Sequence, residues 1–375
     1  MHRVAVQPRP DWRAKVEALG FNYHTMYGQE YWVEDHCYVF SAAQIDALDD
    51  ATNELHQMCL KAVDRVVREK LYHRLAIPDD AVPYIETTWN RQDPEVYGRF
   101  DIAYDGVNPP KMLEYNADTP TALLETSVVQ WYWLKDMKPE ADQFNSVHEK
   151  LIDTWKQVGG LLSPGALVHF ASVVENQEDF GNTEYMRDVC SQAQLNTVHI
   201  DIADIGWNGS RFVDLENRPI QVLFKLYPWE WLAREQFAQH ILSDTTAFIE
   251  PAWKMILSNK AILPILWEMF PDHPNLLPAY TSPERLGDSY VKKPFLSREG
   301  ANVTIVTPDR TFGNAGEYGA EGFIYQRYQP LQAFDGFYPV IGSWVIGGKA
   351  AGIGVREDAN PITDNLSRFL PHYFE

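Results

Sequence analysis

YGRFDIAYD (97–105) and KMLEYNAD (111–118) read as two short strands, because apolar and polar residues alternate around a loop containing Gly106, Asn108, Pro109 and Pro110. Closed as an antiparallel hairpin by residues 105–110, the pair sets Asp101 opposite Glu114 and Arg99 opposite Asn116. Strand side chains alternate between faces, so all four project from one face of the sheet. Two directly opposed carboxylates repel one another, and a cation between them relieves that repulsion. Carboxylate and amide oxygens are ligands that Mg²⁺ accepts, while the Arg99 fork suits a phosphoryl or carboxylate oxygen. A second reading stays open at this point. Arg99 could bridge Asp101 and Glu114 as a structural salt bridge, and a one-residue slip of register would break the pairing.

Upstream of the hairpin the period is helical. Ser41 is a candidate N-cap with Gln44 at the capping-box position, and Ile45, Leu48, Ala51, Leu55, Met58 and Val63 follow at helical spacing within 41–75. Downstream, helices are expected from Thr121 to Leu134 and on to Leu162. ALVHFASV (166–173), a helix near Asn182 to Gln194, and NTVHIDIADI (196–205) form a small strand-helix-strand α/β unit. From Ile220, the strands QVLFKLY, SYVKKPF, GFIYQRY and GSWVIGG alternate with one helical region around 251–270. The expected class is α+β or mixed α/β. Its regions are 1–160 (helical region plus hairpin), 161–219 (the small unit) and 220–375 (a nucleotide-binding region).

Composition limits the partners. With 32 basic against 52 acidic residues the net charge is −20, and the acids are dispersed, which disfavours nucleic acid and anionic membrane. A phosphate-bearing ligand must therefore meet a local basic pocket or metal ions. The 3 cysteines, Cys37, Cys59 and Cys190, form no CxxC pair, and no apolar run approaches the roughly 18 residues of a membrane span. A cytoplasmic protein is expected.

Three further segments carry candidate chemistry. In SYVKKPFLSREGANVTIV (289–306), Lys292 and Lys293 end a strand before a loop with Arg298, Gly300 and Asn302. Such a glycine loop can close over phosphates through backbone N–H groups, although an ordinary basic hairpin reads the same way. Lys260 lies at the start of a helical apolar face and could equally be a solvated lysine. GFIYQRYQPL (322–331) is a strand leaving into Pro330, whose backbone around Gln326 to Gln329 could read an adenine edge or simply form a buried edge strand. VIGGKAAGIGVRED (345–358) is a Gly-Gly hairpin that delivers Arg356, either to a phosphoryl group or to a pairing with Glu357 or Asp358.

Together, YIETTWNRQDPEVYGRFD (84–101), KMLEYNADTPTALLET (111–126), YVKKPFLSREGANV, IYQRYQPL and the GIGVRED to SRF tail resemble the synthetase domain of glutathionylspermidine synthase. They resemble the stand-alone acid–amine ligases related to it more closely still. The resemblance runs in order from about residue 20 to the C-terminus. It implies an ATP-grasp fold of permuted order, with the metal hairpin ahead of the nucleotide lysines. It also implies a ligase that uses ATP and two Mg²⁺ ions to activate a small-molecule or peptide carboxylate as an acyl phosphate, then transfers the acyl group to an amine such as a polyamine. Residue by residue, Asp101, Glu114 and Asn116 fall on metal-ligand positions, and Arg99 and Arg356 on arginines that contact the transferring phosphoryl group. Lys260 and Lys293 fall on ATP lysines, Gly300 in the phosphate loop and Gln329 near the base. Bifunctional relatives carry an amidase domain with a catalytic cysteine ahead of the ligase. Cys37 leaves no room for one, so amide hydrolysis is not expected. The rival readings are a nucleotide-binding protein without catalysis, and a metal-dependent phosphohydrolase.

Overall fold

The computed structural model describes residues 1–375 as a mixed α/β protein. A five-stranded antiparallel sheet holds the centre, ordered Arg368–Leu370, Lys349–Asp358, Tyr338–Ile346, Tyr97–Ala103 and Lys111–Asn116. A parallel sheet is ordered Ala247–Ile249, Val222–Lys225, Leu167–Ser172 and Asn196–Asp201. A second antiparallel sheet is ordered Ala279–Tyr280, Phe323–Arg327, Tyr290–Pro294, Thr304–Val306 and Thr311–Gly313. His36–Phe40 pairs with both His2–Ala5 and His372–Phe374, bringing the first and last strands into one small sheet. No helix is long and apolar enough to cross a membrane.

These sheets cross the regions expected from sequence. The parallel sheet continues through Val222–Lys225 and Ala247–Ile249, beyond residue 219, and the 97–116 hairpin pairs with strand 338–346 of the third region. The cause lies in the packing. The apolar run Val222, Leu223, Phe224 is buried on both faces, as a central parallel strand requires.

The long helix is Ala42–Glu69, and Ser41 caps it as expected. The Ser41 hydroxyl accepts from Gln44 N, and the Gln44 side chain accepts in return from Ser41 N. Its apolar stripe covers the face of the central sheet that carries Phe100 and Ile102, and the Thr52 and Ser343 hydroxyls meet at 2.6 Å across that interface. The helical region expected at 251–270 is broken into Met255–Ser258 and Ile262–Met269. Pro264 explains the break, because its ring would strike the Lys260 carbonyl in a continuous helix. Asn259 uses the gap to accept from Ala261 N, and the Lys260 backbone N–H is released to Phe295 O at 2.8 Å.

The hairpin register is Arg99↔Asn116, Phe100↔Tyr115 and Asp101↔Glu114, and then it slips to Ile102↔Met112. One extra residue, Leu113, forms a bulge there. The bulge lets Met112 and Tyr115, three apart, both enter the core while Glu114 and Asn116 share the opposite face with Arg99 and Asp101. Tyr115 stacks on Phe100 with centroids 3.9 Å apart, which holds the register from the core side.

The segment after the hairpin is tied to the parallel sheet by a fully buried ion pair. Lys225 Nζ donates to Asp118 Oδ1 at 2.7 Å, and Asp118 Oδ2 accepts from Trp229 N at 2.9 Å. Lys225→Met leaves that carboxylate buried without its partner and should lower unfolding stability by about 3–5 kcal/mol. Urea denaturation reads the loss, and adding Asp118→Asn to Lys225→Met should restore part of it.

Candidate active site

Asp101 is buried at the floor of a cleft and held by two arginines. Arg99 donates from Nε to Oδ1 at 2.8 Å and from Nη2 to Oδ2 at 3.3 Å, and Arg356 Nη2 donates to Oδ2 at 3.1 Å. Burial would raise the Asp101 pKa, but the Arg99 and Arg356 guanidinium groups outweigh it and hold the carboxyl below its usual range. Arg99 is fixed in turn by donating to Thr121 O at 2.6 Å.

Room for Arg99 comes from the neighbouring strand. Gly342 lies opposite Asp101, and a Cβ there would come within 2.9 Å of Arg99 Cδ. Gly342→Ala should therefore push the guanidinium off Asp101 while keeping the strand paired. Displacement of Arg99 from Asp101 in a crystal structure of the variant, with an unchanged far-UV circular dichroism spectrum, is the expected result.

Arg356 reaches Asp101 and does not pair with its chain neighbours. Glu357, on the other face of the strand, is fully buried and accepts from Arg3, Tyr38 and Arg368. That cluster fixes the strand and leaves Arg356 pointing into the cleft. The salt-bridge reading of the hairpin holds only in half: Arg99 pairs with Asp101, whereas Glu114 faces Lys260 Nζ at 3.4 Å.

Lys260 and Lys293 both enter from the second antiparallel sheet side. Lys260 Nζ donates to Ser297 O at 2.6 Å, and Lys293 Nζ donates to Leu113 O at 2.8 Å, so the bulge carbonyl holds a lysine. Burial lowers the Lys293 pKa to about 8, against the opposing pull of Glu114. Lys292, one residue earlier, faces away and lies over the Phe323 ring. Gly300 is required twice. Its φ is +68°, and a Cβ would meet Thr363 O at 2.5 Å.

Two cavities meet at this point. A slot of about 90 Å³ lies between the two antiparallel sheets, with Lys293, Gly300 and Gln329 on its wall and Val291, Ile305 and Val340 supplying apolar surface. A larger cavity of about 320 Å³ carries Arg99, Asn116 and Arg356. Asp101, Glu114, Gly300 and Thr363 line both. The candidate metal, phosphate and base residues thus line these cavities, except Lys260, which lines neither and reaches the site through Glu114. Within the base segment both Gln326 and Gln329 line the slot; Gln326 is buried, its amide donating to Met112 O, and Gln329 is half-buried.

Sequence reading passed over the far wall of the larger cavity. Asn176 caps helix Gln177–Gln192 by accepting from Glu178 N and Asp179 N, which sets those two carboxylates in the first turn, facing the cavity. Arg298, seen only as a loop cation, lines the same wall and donates to Thr119 Oγ1 at 2.6 Å and to Glu230 Oε1 at 2.7 Å. The Asn-x-Glu-Asp start of the helix is a cap signal. Nothing local distinguishes it as facing a cleft. The cavity therefore has a cationic wall, Arg99 and Arg356, opposite an acidic one.

Burial, reinforced by Glu178 and then Glu299, raises the Asp179 pKa to about 7, with Arg298 opposing. The folded chain keeps a proton there up to about pH 7, where the unfolded chain has released it near pH 4. Stability from this group is thus present at low pH and lost as pH rises through about 7. Asp179→Asn should raise the urea midpoint at pH 8 and change it little at pH 4.

This geometry defines an ATP-grasp protein, with a slot between two antiparallel sheets that ends on paired carboxylates and cations. Comparison with known proteins agrees. The model of the glutathionylspermidine synthase preATP-grasp family matches residues 3–375, and the chain belongs to that family. A Haemophilus influenzae protein provisionally named acid–amine ligase is 45% identical, over 100% of this chain and 100% of its own. Trypanothione synthetase of Crithidia fasciculata is 28% identical over 84% of this chain and 53% of its own length. A glutathione synthetase-like effector of Globodera pallida, solved in its apo form, aligns with a TM-score of 0.57 at 11% identity. It covers 90% of this chain and 89% of that one, a likeness of fold alone.

Proposed function

We propose that the chain is an ATP- and Mg²⁺-dependent carboxylate–amine ligase that works through an acyl phosphate. The observation that carries this reading is the meeting of the two cavities on Asp101 and Glu114. One chamber offers a largely apolar slot with Lys293 on its wall, suited to a nucleotide, and the other a cationic wall facing an acidic one, suited to an acid and an amine. In a chain of net charge −20, Arg99, Arg356, Lys260 and Lys293 gather around Asp101 and Glu114, so the field at that end of the site favours a polyphosphate.

Asp101, Glu114 and Asn116 are an oxygen donor set on one face, which fits Mg²⁺. Asn116 Nδ2 is buried and makes no hydrogen bond, so its amide is free to turn the oxygen toward a cation. When bound, the ion would offset charge on the phosphate oxygens. The protein's own groups do the rest. Lys260 and Lys293 steady the phosphates, and the Gly300 loop closes over them. Arg99 and Arg356 follow the phosphoryl group as the carboxylate oxygen bonds to the γ-phosphorus and the bond to the β-phosphate oxygen breaks, releasing ADP. The amine nitrogen then bonds to the acyl carbon, the carbon–oxygen bond to phosphate breaks, and the amine loses a proton. Glu178 and Asp179 face the position from which a cationic amine would approach.

Asp101→Ala and Glu114→Ala should each abolish ADP formation in a screen of peptide acids and amines, including spermidine, while thermal unfolding stays cooperative. Near-normal turnover in either variant would sink the proposal. Phosphate release without any amine would point to a phosphohydrolase instead.

A further inference from the structure

A third cavity, beyond the acidic wall, has no part in the chemistry above. It encloses about 360 Å³, and twelve of its sixteen lining residues are hydrophobic, including Ile202, Phe212, Leu223, Phe237 and Phe248. Apolar hollows with a few polar groups at the mouth are how proteins hold small ligands. The cavity lies at the carboxyl ends of Leu167–Ser172, Asn196–Asp201 and Val222–Lys225. From Leu167–Ser172 the chain adds its next strand on one side and the following one on the other, and α/β sheets bind ligands at such a reversal.

The third cavity adjoins the larger chamber of the site. Both are lined by Val173, and the same two strand exits serve both. Asn176, Leu226 and Pro228 turn to the site, whereas Glu175 and Tyr227 turn to the apolar side. The Tyr227 and Trp231 rings stand edge to face at the divide, with centroids 5.6 Å apart. Charge restricts the occupant. Glu175, Asp201 and Glu235 line the apolar cavity, and no lysine, arginine or histidine does. An anionic acid or nucleotide is repelled there, and a cationic amine is not.

We propose that this cavity receives the apolar body of the amine co-substrate. The acceptor is then a primary amine carrying a hydrocarbon or aromatic group, its nitrogen lying past Val173 beside Glu178 and Asp179. The inference rests on the ligase reading and adds the class of amine. Titration calorimetry of the full chain with hexylamine, 2-phenylethylamine and spermidine, without nucleotide, tests it. The two apolar amines should bind roughly tenfold or more tightly than spermidine. Ala238→Trp fills the cavity from a half-buried wall position and should remove that advantage while leaving ATP affinity unchanged. Ile202→Gln should weaken both apolar amines without filling the space, which covers the case of a misfolded tryptophan variant. Spermidine binding as tightly as hexylamine, or hexylamine affinity unchanged in both variants, overturns the proposal. Tight binding of apolar amines with no ADP formed from any acid–amine pair overturns the ligase reading, and the co-substrate role with it. ADP formed equally well from spermidine and hexylamine, in wild type and Ala238→Trp alike, overturns the pocket alone.

Discussion

A carboxylate buried between two guanidinium groups is the constraint around which this chain is arranged. Asp101 stays ionised at that depth because Arg99 and Arg356 hold it, and the buried Arg99 is balanced in turn by Asp101. Each partner then imposes a demand on distant chain. Arg99 requires a residue without a side chain at 342, and Arg356 requires a strand held from its other face by Glu357, Arg3 and Tyr38. The central sheet satisfies both demands by pairing Tyr97–Ala103 with Tyr338–Ile346, segments far apart in sequence.

The Leu113 bulge works in concert with that triad. An unbroken two-residue period would place Met112 and Glu114 on one face and send either an apolar side chain to the cleft or a carboxylate to the core. The extra residue separates them, and its freed carbonyl then holds Lys293. A single irregularity of backbone thus sets a carboxylate and a lysine against one another across two sheets.

Much of this was legible in the residues. The alternation in 97–105 and 111–118 yields the Asp101–Glu114 and Arg99–Asn116 pairs as observed, and the Ser41 cap and the helix behind it are found where expected. The slip beyond Asp101 was not legible, because hairpin closure alone offers no reason for an extra residue. Burial of Met112 supplies one only once the helix lies beneath it. The break at Lys260 has a local signal in Pro264, four residues on, that a purely apolar periodicity overrides. The acidic wall was missed for a different reason. Glu178 and Asp179 look like ordinary first-turn residues, and only the order of strands in the parallel sheet turns that helix end toward the cleft. Their cavity depends on topology, which spacing along one chain does not encode.

The small sheet that joins His2–Ala5, His36–Phe40 and His372–Phe374 has a consequence for synthesis on the ribosome. The hairpin and both lysines emerge well before Tyr338, whereas the strand that pairs with Arg99 and the one that carries Arg356 follow them. A chain cut short before Tyr338 would possess Lys260 and Lys293 without the frame that holds Arg99 and Arg356. The Arg99–Asp101–Arg356 triad is thereby deferred until the strands 338–346 and 349–358 have both been made.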